Sequence, residues 1–311
     1  MWLMSKTKQK TMFYKRICWI NVAYDMENLM KEAHTALTTT AQRAFEYNDG
    51  HIQGSSFETR SNGFLCHVAF FVHTQQASLI PIPSDDKTTE TFLLAPPDNK
   101  NYLQGDVFFL IKNNHIIVCT SGLAEHAVVV YMRGMLEAVG RSSLAMEFSV
   151  ESIMNEKKLD VLKEGVKSLS LNTAIYTASV DHHARRVQEN STIADKLVSS
   201  IKDVLAEFVI TSDESKDIKD KENLSVKVEL SFDGRKKGEI SKGKLQALAS
   251  DSLDEEGFTI VTKNDKKITF NEIRLHEKIP LAVSGTSVSK EAAWNSMGAY
   301  FNKLKSTGML E

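Results

Sequence analysis

The stretch Asp106–Gly140, DVFFLIKNNHIIVCTSGLAEHAVVVYMRGMLEAVG, determines the fold class. Its two apolar runs, Val107–Ile111 and Ile116–Cys119, are rich in the β-branched and aromatic residues that favour strands. Lys112–His115 lies between them, and its two asparagines tolerate the positive φ of a tight hairpin turn. Thr120-Ser121-Gly122 then ends the second strand, and Ser121 is expected to cap a helix with apolar positions at Leu123, Ala127, Val130, Met135 and Val139.

Strand and helix patterns also precede this unit. Phe13–Tyr24 has strand composition, and Asp25 is expected to cap a helix that runs to about Phe45. The apolar stripe of that helix is Met26, Leu29, Met30, Ala33 and Leu37. Turn signals at residues 48–50 and 61–63 flank a weaker strand, and the nearly continuous apolar run 64–72 predicts a central strand.

The second half repeats the same kinds of pattern. Strands are predicted at 145–152, at 166–179 and from residue 224 onward, and an amphipathic helix is predicted at 192–210. A second hairpin is expected to turn at Asn264-Asp265, followed by a strand at 272–281. Ser289 is expected to cap a last helix that ends near Lys305.

These patterns predict an α+β protein with a mixed, mostly antiparallel sheet and flanking helices, followed by a smaller α+β module. Residues 1–210 form the expected N-terminal domain, with an irregular excursion at 73–101 that contains four of the five prolines. The charged run 211–223 is the expected linker, and 224–311 is the expected C-terminal module with basic hairpin turns.

Composition limits the possible function classes. The 311-residue chain is 42% apolar and 25% charged, which is ordinary for a soluble protein with a buried core. Its formal net charge of −2 means that any DNA binding must come from local patches. The three cysteines lie in apolar runs without metal-site spacing, which favours a reducing, cytoplasmic location. No run of about 18 apolar residues and no convincing secretory signal is present, so membrane insertion is not expected.

The motifs of common catalytic sites are absent. No G-x-G-x-x-G or G-x-x-x-x-G-K occurs, so no nucleotide cofactor is expected. Asp181-His182-His183 is the densest cluster of metal-ligand types, but adjacent strand residues point to opposite faces, so no metal is expected. Ser121 lacks the G-x-S-x-G context of a nucleophile and is interpreted as a helix cap. No catalytic residue is therefore predicted.

Basic clusters are the strongest remaining signal. One probable turn carries Arg235, Lys236 and Lys237, and Lys242 and Lys244 follow it. The next hairpin turn carries Lys263, Lys266 and Lys267, and Arg185 and Arg186 lie in an earlier polar segment. Because Lys and Arg side chains supply the sequence-independent part of DNA affinity, these ten residues are the predicted nucleic-acid-binding residues.

The order of elements resembles the RexA-like phage-exclusion family. The resemblance rests on DVFFLIKNNHIIVC, the helix LAEHAVVVYMRGMLEAVG, and the later succession of strand, amphipathic helix, strand, basic turn and hairpin. It covers about two thirds of the chain and carries no catalytic motif. It implies a dimeric α+β protein that binds double-stranded DNA without strong sequence preference and acts in antiphage defence with a possible partner protein.

The leading hypothesis is therefore a non-catalytic DNA-binding or DNA-sensing component of a prokaryotic antiphage system. One alternative is a divergent metal-dependent nuclease in the same setting, for which Glu229 and Asp233 are the candidate carboxylates. The other alternative is a protein-interaction subunit of a defence complex, whose working surface would be apolar.

Overall fold

The computed structural model describes residues 6–83, 85, 87–153, 166–174, 225–231, 258–262, 264–269, 272 and 274–310. The chain forms two compact units. The first unit consists of Met1–Ile153 and Leu275–Glu311, and the second unit consists of Met154–Arg274. This division differs from the predicted one, because 275–311 belongs with the N-terminal residues. The predicted linker, 211–223, lies outside the described residues.

The described elements of the first unit are one large sheet, a small two-stranded sheet and four helices. The strands are β1 (Thr7–Trp19), β2 (Ala44–Tyr47), β3 (Gly50–Arg60), β4 (Gly63–Phe71), β5 (Ala77–Leu79), β6 (Phe92–Leu94), β7 (Gly105–Lys112), β8 (His115–Ser121), β9 (Phe148–Ser152), β14 (His276–Ser284) and β15 (Ser287–Val288). The helices are α1 (Met26–Ala36), α2 (His126–Ala138), α3 (Ser142–Ala145) and α4 (Lys290–Ser306), with a 3₁₀ turn at Ala41–Arg43.

The large sheet is antiparallel and has the strand order β15-β14-β1-β8-β7-β4-β3-β2. Strand β9 also joins it, beside β14 on the same edge of β1. Residues 7–13 of β1 pair with β14, and residues 15–19 pair with β9. This pairing brings the C-terminal strand and helix into the first unit. The predicted α+β class with a mostly antiparallel sheet is confirmed.

The central strands are buried on both faces of the sheet. Val107 and Phe109 of β7 pack in the core that includes residues of α1 and α2, on what we call the α1/α2 face. Phe108 and Leu110 pack in the core that includes α4, on the α4 face. A strand covered on both sides needs apolar residues at consecutive positions, which explains the continuous run DVFFLI.

The β7–β8 turn also anchors the beginning of α1. Asn113 adopts the predicted positive φ, at 54°. The Asn114 side chain accepts hydrogen bonds from the Met26 backbone N–H at 3.1 Å and from the Trp19 indole at 3.3 Å. Its amide group donates to the Tyr24 carbonyl at 2.7 Å. The turn therefore satisfies a free backbone donor at the start of a helix that is distant in sequence.

Several predicted helix boundaries are confirmed. Asp25 caps α1 by accepting from the Asn28 N–H, and the five predicted stripe residues of α1 are buried. Ser289 caps α4, which ends at Ser306, one residue beyond the predicted end. The Asn48 turn has the positive φ expected of a tight hairpin.

Other predicted boundaries are wrong. Helix α1 ends at Ala36 rather than near Phe45, because the following run of threonines is β-branched and the chain then enters β2. Ser121 does not cap a helix: it is the last residue of β8, and α2 begins five residues later at His126. Residue 145 ends the short helix α3, so the strand predicted from there begins at Phe148.

The described strands of the second unit form one antiparallel sheet in the order β11-β10-β12-β13. These strands are β10 (Val166–Ala174), β11 (Ser225–Ser231), β12 (Phe258–Thr262) and β13 (Lys267–Thr269). They confirm the predicted strand after residue 166 and the predicted hairpin at Asn264-Asp265. The helix predicted at 192–210 lies outside the described residues. In the part of the chain that the structure describes, no helix is both long and apolar enough to span a membrane.

Candidate functional site

The β12–β13 turn carries the two predicted DNA-binding residues that the structure describes, Lys266 and Lys267. Both are exposed. The turn is tight, because the Asp265 N–H donates to the Thr262 carbonyl at 3.0 Å and the Thr262 N–H donates to the Lys266 carbonyl at 2.9 Å. Asp265 has a φ of 59°, which its short polar side chain tolerates. The turn therefore presents two adjacent ammonium groups to solvent, and we call it the basic turn.

The other predicted binding residues fall outside the described part of the chain. They are Arg185, Arg186, Arg235, Lys236, Lys237, Lys242, Lys244 and Lys263. Of the carboxylates considered for a nuclease, Glu229 lies on β11 opposite Ser170, and Asp233 is not among the described residues. Among the residues that are described, no group of three His, Cys, Asp or Glu side chains could hold a metal ion.

A second constellation crosses the large sheet of the first unit. It consists of five side chains from β3, β4, β7, β8 and β15, which we call the polar row: Ser55, His67, Asp106, Ser121 and Ser287. No single segment of sequence contains it, because the five residues are brought together by strand pairing and by the β14–β15 hairpin.

Asp106 is the centre of the polar row. Its side chain is 2% exposed. One carboxylate oxygen, Oδ2, accepts from His67 Nε2 at 2.9 Å and from the Ser287 hydroxyl. The other oxygen, Oδ1, is buried and has no hydrogen-bond partner among the described residues. The Ser121 and Ser287 hydroxyl oxygens are 3.4 Å apart. A buried carboxylate is stable only when hydrogen-bond donors surround it. Here the two donors, His67 and Ser287, lie on β4 and β15.

His67 links Asp106 to Ser55. The His67 ring stacks on Phe108 with centroids 4.5 Å apart, and its Nδ1 lies 2.8 Å from the Ser55 hydroxyl oxygen. A carboxylate only accepts hydrogen bonds, so Nε2 carries a proton and, in a neutral ring, Nδ1 is the acceptor. The single Ser55 hydroxyl proton has two acceptors within reach, His67 Nδ1 at 2.8 Å and the His67 carbonyl oxygen at 3.2 Å, and we assign it to the nearer one. This arrangement can transfer a proton from the serine to the imidazole.

Local backbone features place these side chains. The pairing of β3 with β4 shifts between Gly54 and Ser56, which leaves Ser55 as the extra residue of a β-bulge. Bulges re-aim side chains, and here the hydroxyl reaches the neighbouring strand. At the other end of the row, a Cβ on Gly105 would lie 2.6 Å from the Gly122 carbonyl carbon. This close approach and the bridge between Asp106 and Gly122 bring the end of β8 against the start of β7.

A cleft of about 240 Å³ opens at strands β3 and β4 of the large sheet. Its lining consists of Gln53, Ala69, Phe71, Asn99, Asn101 and Leu103. Ala69 pairs with Asp106 across β4 and β7 and is two residues from His67, so it lies on the same face of the sheet. The cleft therefore opens on the face of the sheet that carries His67 and Asp106, and its lining begins two residues along β4 from His67.

A separate histidine, His34, is buried on the α1/α2 face. Its Nδ1 is 2.9 Å from the Met30 carbonyl and its Nε2 is 3.0 Å from the Tyr131 hydroxyl. Burial lowers the pKa of His34 to about 4, so the ring is neutral near pH 7. Burial also raises the pKa of the neighbouring Cys66 thiol to about 12, so this thiol is not a reactive nucleophile. We interpret this cluster as structural.

Sequence reasoning missed the polar row. The sequence does contain a signal for it. His67 is a polar residue within the apolar run FLCHVAFFV, and Asp106 begins the apolar run DVFFLI. A polar side chain in a strand buried on both faces needs a partner, so each residue indicated an unseen contact. The identity of the partner depends on register, which the sequence pattern does not specify.

The fold defines this chain as an α+β protein with a large antiparallel sheet. No protein-family model matches the chain, and no curated protein matches it significantly.

Proposed function

We propose that the protein binds double-stranded DNA through the phosphate backbone, without reading base sequence, as a component of a prokaryotic antiphage defence system. The observation that carries this proposal is the exposed pair Lys266 and Lys267 on the basic turn. Within the described residues, neither ammonium group forms an ion pair, so both can contact phosphate without first breaking an internal salt bridge.

The hairpin geometry suits such contacts. Ile260 and Ile268 lie opposite each other on β12 and β13 and are buried. Lys267 precedes Ile268 in the strand, so its side chain points to the opposite face. Anchoring the hairpin by its apolar face keeps the basic turn in place and reduces the entropy that is lost when phosphate binds.

Further support comes from the sequence. The sequence carries eight further predicted binding residues, all lysine or arginine, and contacts to the phosphate backbone require no base-reading helix. The defence role, the dimeric state and a partner protein follow from the RexA-like resemblance and are part of the proposal. A cytoplasmic location is consistent with the cysteine usage.

The experiment is a titration of a fluorescently labelled duplex with the full chain, using the variant Lys266→Glu/Lys267→Glu. The matched control is Lys87→Glu/Lys100→Glu, which changes net charge equally at two exposed lysines of the first unit. We expect the first variant to bind more weakly. The slope of log K against log salt should become shallower by about 2, because two phosphate contacts are removed. Equal affinity and slope in the two variants would remove the basic turn from the proposal.

A further inference from the structure

We propose that Ser55, His67 and Asp106 form a hydrolytic site for short-chain carboxylic esters in the first unit. The proposal is independent of DNA binding, because every residue involved lies outside the second unit. It rests on three observations: the hydrogen-bonded serine–histidine–aspartate connection, the buried carboxylate, and the cleft on the same face of the sheet.

The connection has the geometry of an activated nucleophile. Ser55 Oγ is 2.8 Å from His67 Nδ1, and His67 Nε2 is 2.9 Å from Asp106 Oδ2. Both distances are within the reach required of a nucleophile, its base and the group that orients the base. The serine hydroxyl oxygen also lies 3.2 Å from the His67 carbonyl oxygen, which is the other acceptor for its one proton.

Asp106 acts through the histidine and is a positioning residue. It fixes the tautomer with the proton on Nε2, which leaves the Nδ1 lone pair directed at Ser55. Its negative charge stabilises the imidazolium that forms when the serine loses its proton. The Ser287 hydroxyl and the stacked Phe108 hold the carboxylate and the ring in place.

The cleft indicates the class of substrate. Ser55 is half-buried and the His67 side chain is 18% exposed, so small molecules can reach both. Phe71 and Leu103 offer an apolar surface to a short acyl chain. Gln53 also lines the cleft, and its side-chain amide is a donor of the type that stabilises a developing oxyanion.

The reaction balances without any additional reagent except water. Ser55 Oγ attacks the ester carbonyl carbon while its proton moves to His67 Nδ1. The bond to the alcohol oxygen breaks, and that oxygen takes the proton from Nδ1 and leaves as the alcohol. Water then attacks the acyl-serine and gives a proton to Nδ1. The bond to Ser55 Oγ breaks, the serine regains the proton, and a carboxylic acid is released.

The first test uses two probes on the full chain. One is hydrolysis of p-nitrophenyl acetate, compared with the decanoate ester. The other is labelling by a fluorophosphonate, with the modified residue located by peptide mass spectrometry. We expect faster hydrolysis of the short ester and an adduct on Ser55. The matched control is Ser56→Ala, which removes the neighbouring hydroxyl and should change neither result.

The variants separate the roles. Ser55→Ala should abolish both hydrolysis and labelling, and it should leave DNA binding unchanged. His67→Gln should lower kcat by roughly 100- to 10,000-fold, the range for loss of a general base. Asp106→Asn should lower kcat with little change in KM and alter the pH profile, because an amide donor favours the wrong tautomer of His67.

Clear outcomes would overturn the proposal. They are hydrolysis that survives in Ser55→Ala, an adduct on another serine, or a folded wild-type protein that shows neither turnover nor labelling. If Asp106→Asn fails to fold, Ser55→Ala and the labelling site of the wild-type protein still decide the question.

Discussion

Acidification should destabilise the first unit through His34. The imidazole has an ordinary pKa of 6.5 in the unfolded chain, and burial in the folded protein lowers its pKa to about 4. Above pH 6.5 the ring is neutral in both states and adds no pH dependence. As the pH falls from 6.5 to 4, the unfolded chain binds a proton that the folded protein does not, so the free energy of unfolding decreases.

The magnitude follows from the difference in pKa. The full difference corresponds to roughly 3 kcal/mol, of which about 2 kcal/mol is lost between about pH 7.5 and 5. Below pH 4 both states carry the proton and the loss is complete. His34 is only 3% exposed, so solvent does not screen this effect. A loss of this size is a substantial part of the stability of an ordinary domain.

The assay is urea unfolding followed by tryptophan fluorescence at several pH values in this range. Trp19 and Trp294 both report on the first unit. The wild-type protein should lose about 2 kcal/mol more than His34→Gln between about pH 7.5 and 5. The control, His73→Gln, changes an exposed histidine and should follow the wild type. If the free energy of unfolding falls equally with pH in the wild type and in His34→Gln, His34 is not the cause of the acid destabilisation.

Two substitutions test the packing of the first unit. Asn114→Ala removes three hydrogen bonds that join the β7–β8 turn to Trp19, to Tyr24 and to the first residue of α1, and it should lower the free energy of unfolding by about 1–3 kcal/mol in urea titrations. A change near zero would show that the turn does not hold the helix. Gly54→Ala places a Cβ on the Tyr131 hydroxyl, so it should lower the melting temperature and cost about 1–3 kcal/mol. An unchanged melting curve would contradict this close approach.

Much of the architecture could be predicted because it is encoded locally. The β-branched, aromatic and continuously apolar content of β7 and β8 identifies strands, and Asn113 identifies the turn between them. Asp25 and Ser289 identify helix starts, since a side chain that accepts from the first turn satisfies a free backbone donor within three residues. None of these signals depends on residues that are distant in the sequence.

The remaining features depend on distant pairing. Hydrophobic patterning shows which face of a strand is buried but not which strand lies beside it. The pairing of β1 with β14 therefore could not be read from either segment, and the last helix was assigned to the wrong neighbours. The polar row was missed for the same reason. The sequence around Ser121 favours a helix cap, whereas its neighbour in the structure, Ser287, is 166 residues away.

The most direct test of the central claim is binding of the wild-type protein to a labelled duplex of arbitrary sequence across a salt series from about 50 to 300 mM KCl. We expect binding at low salt, a linear fall of log K with log salt, and similar affinities for unrelated sequences. Absence of binding at the lowest salt, or an affinity that does not change with salt, would contradict it.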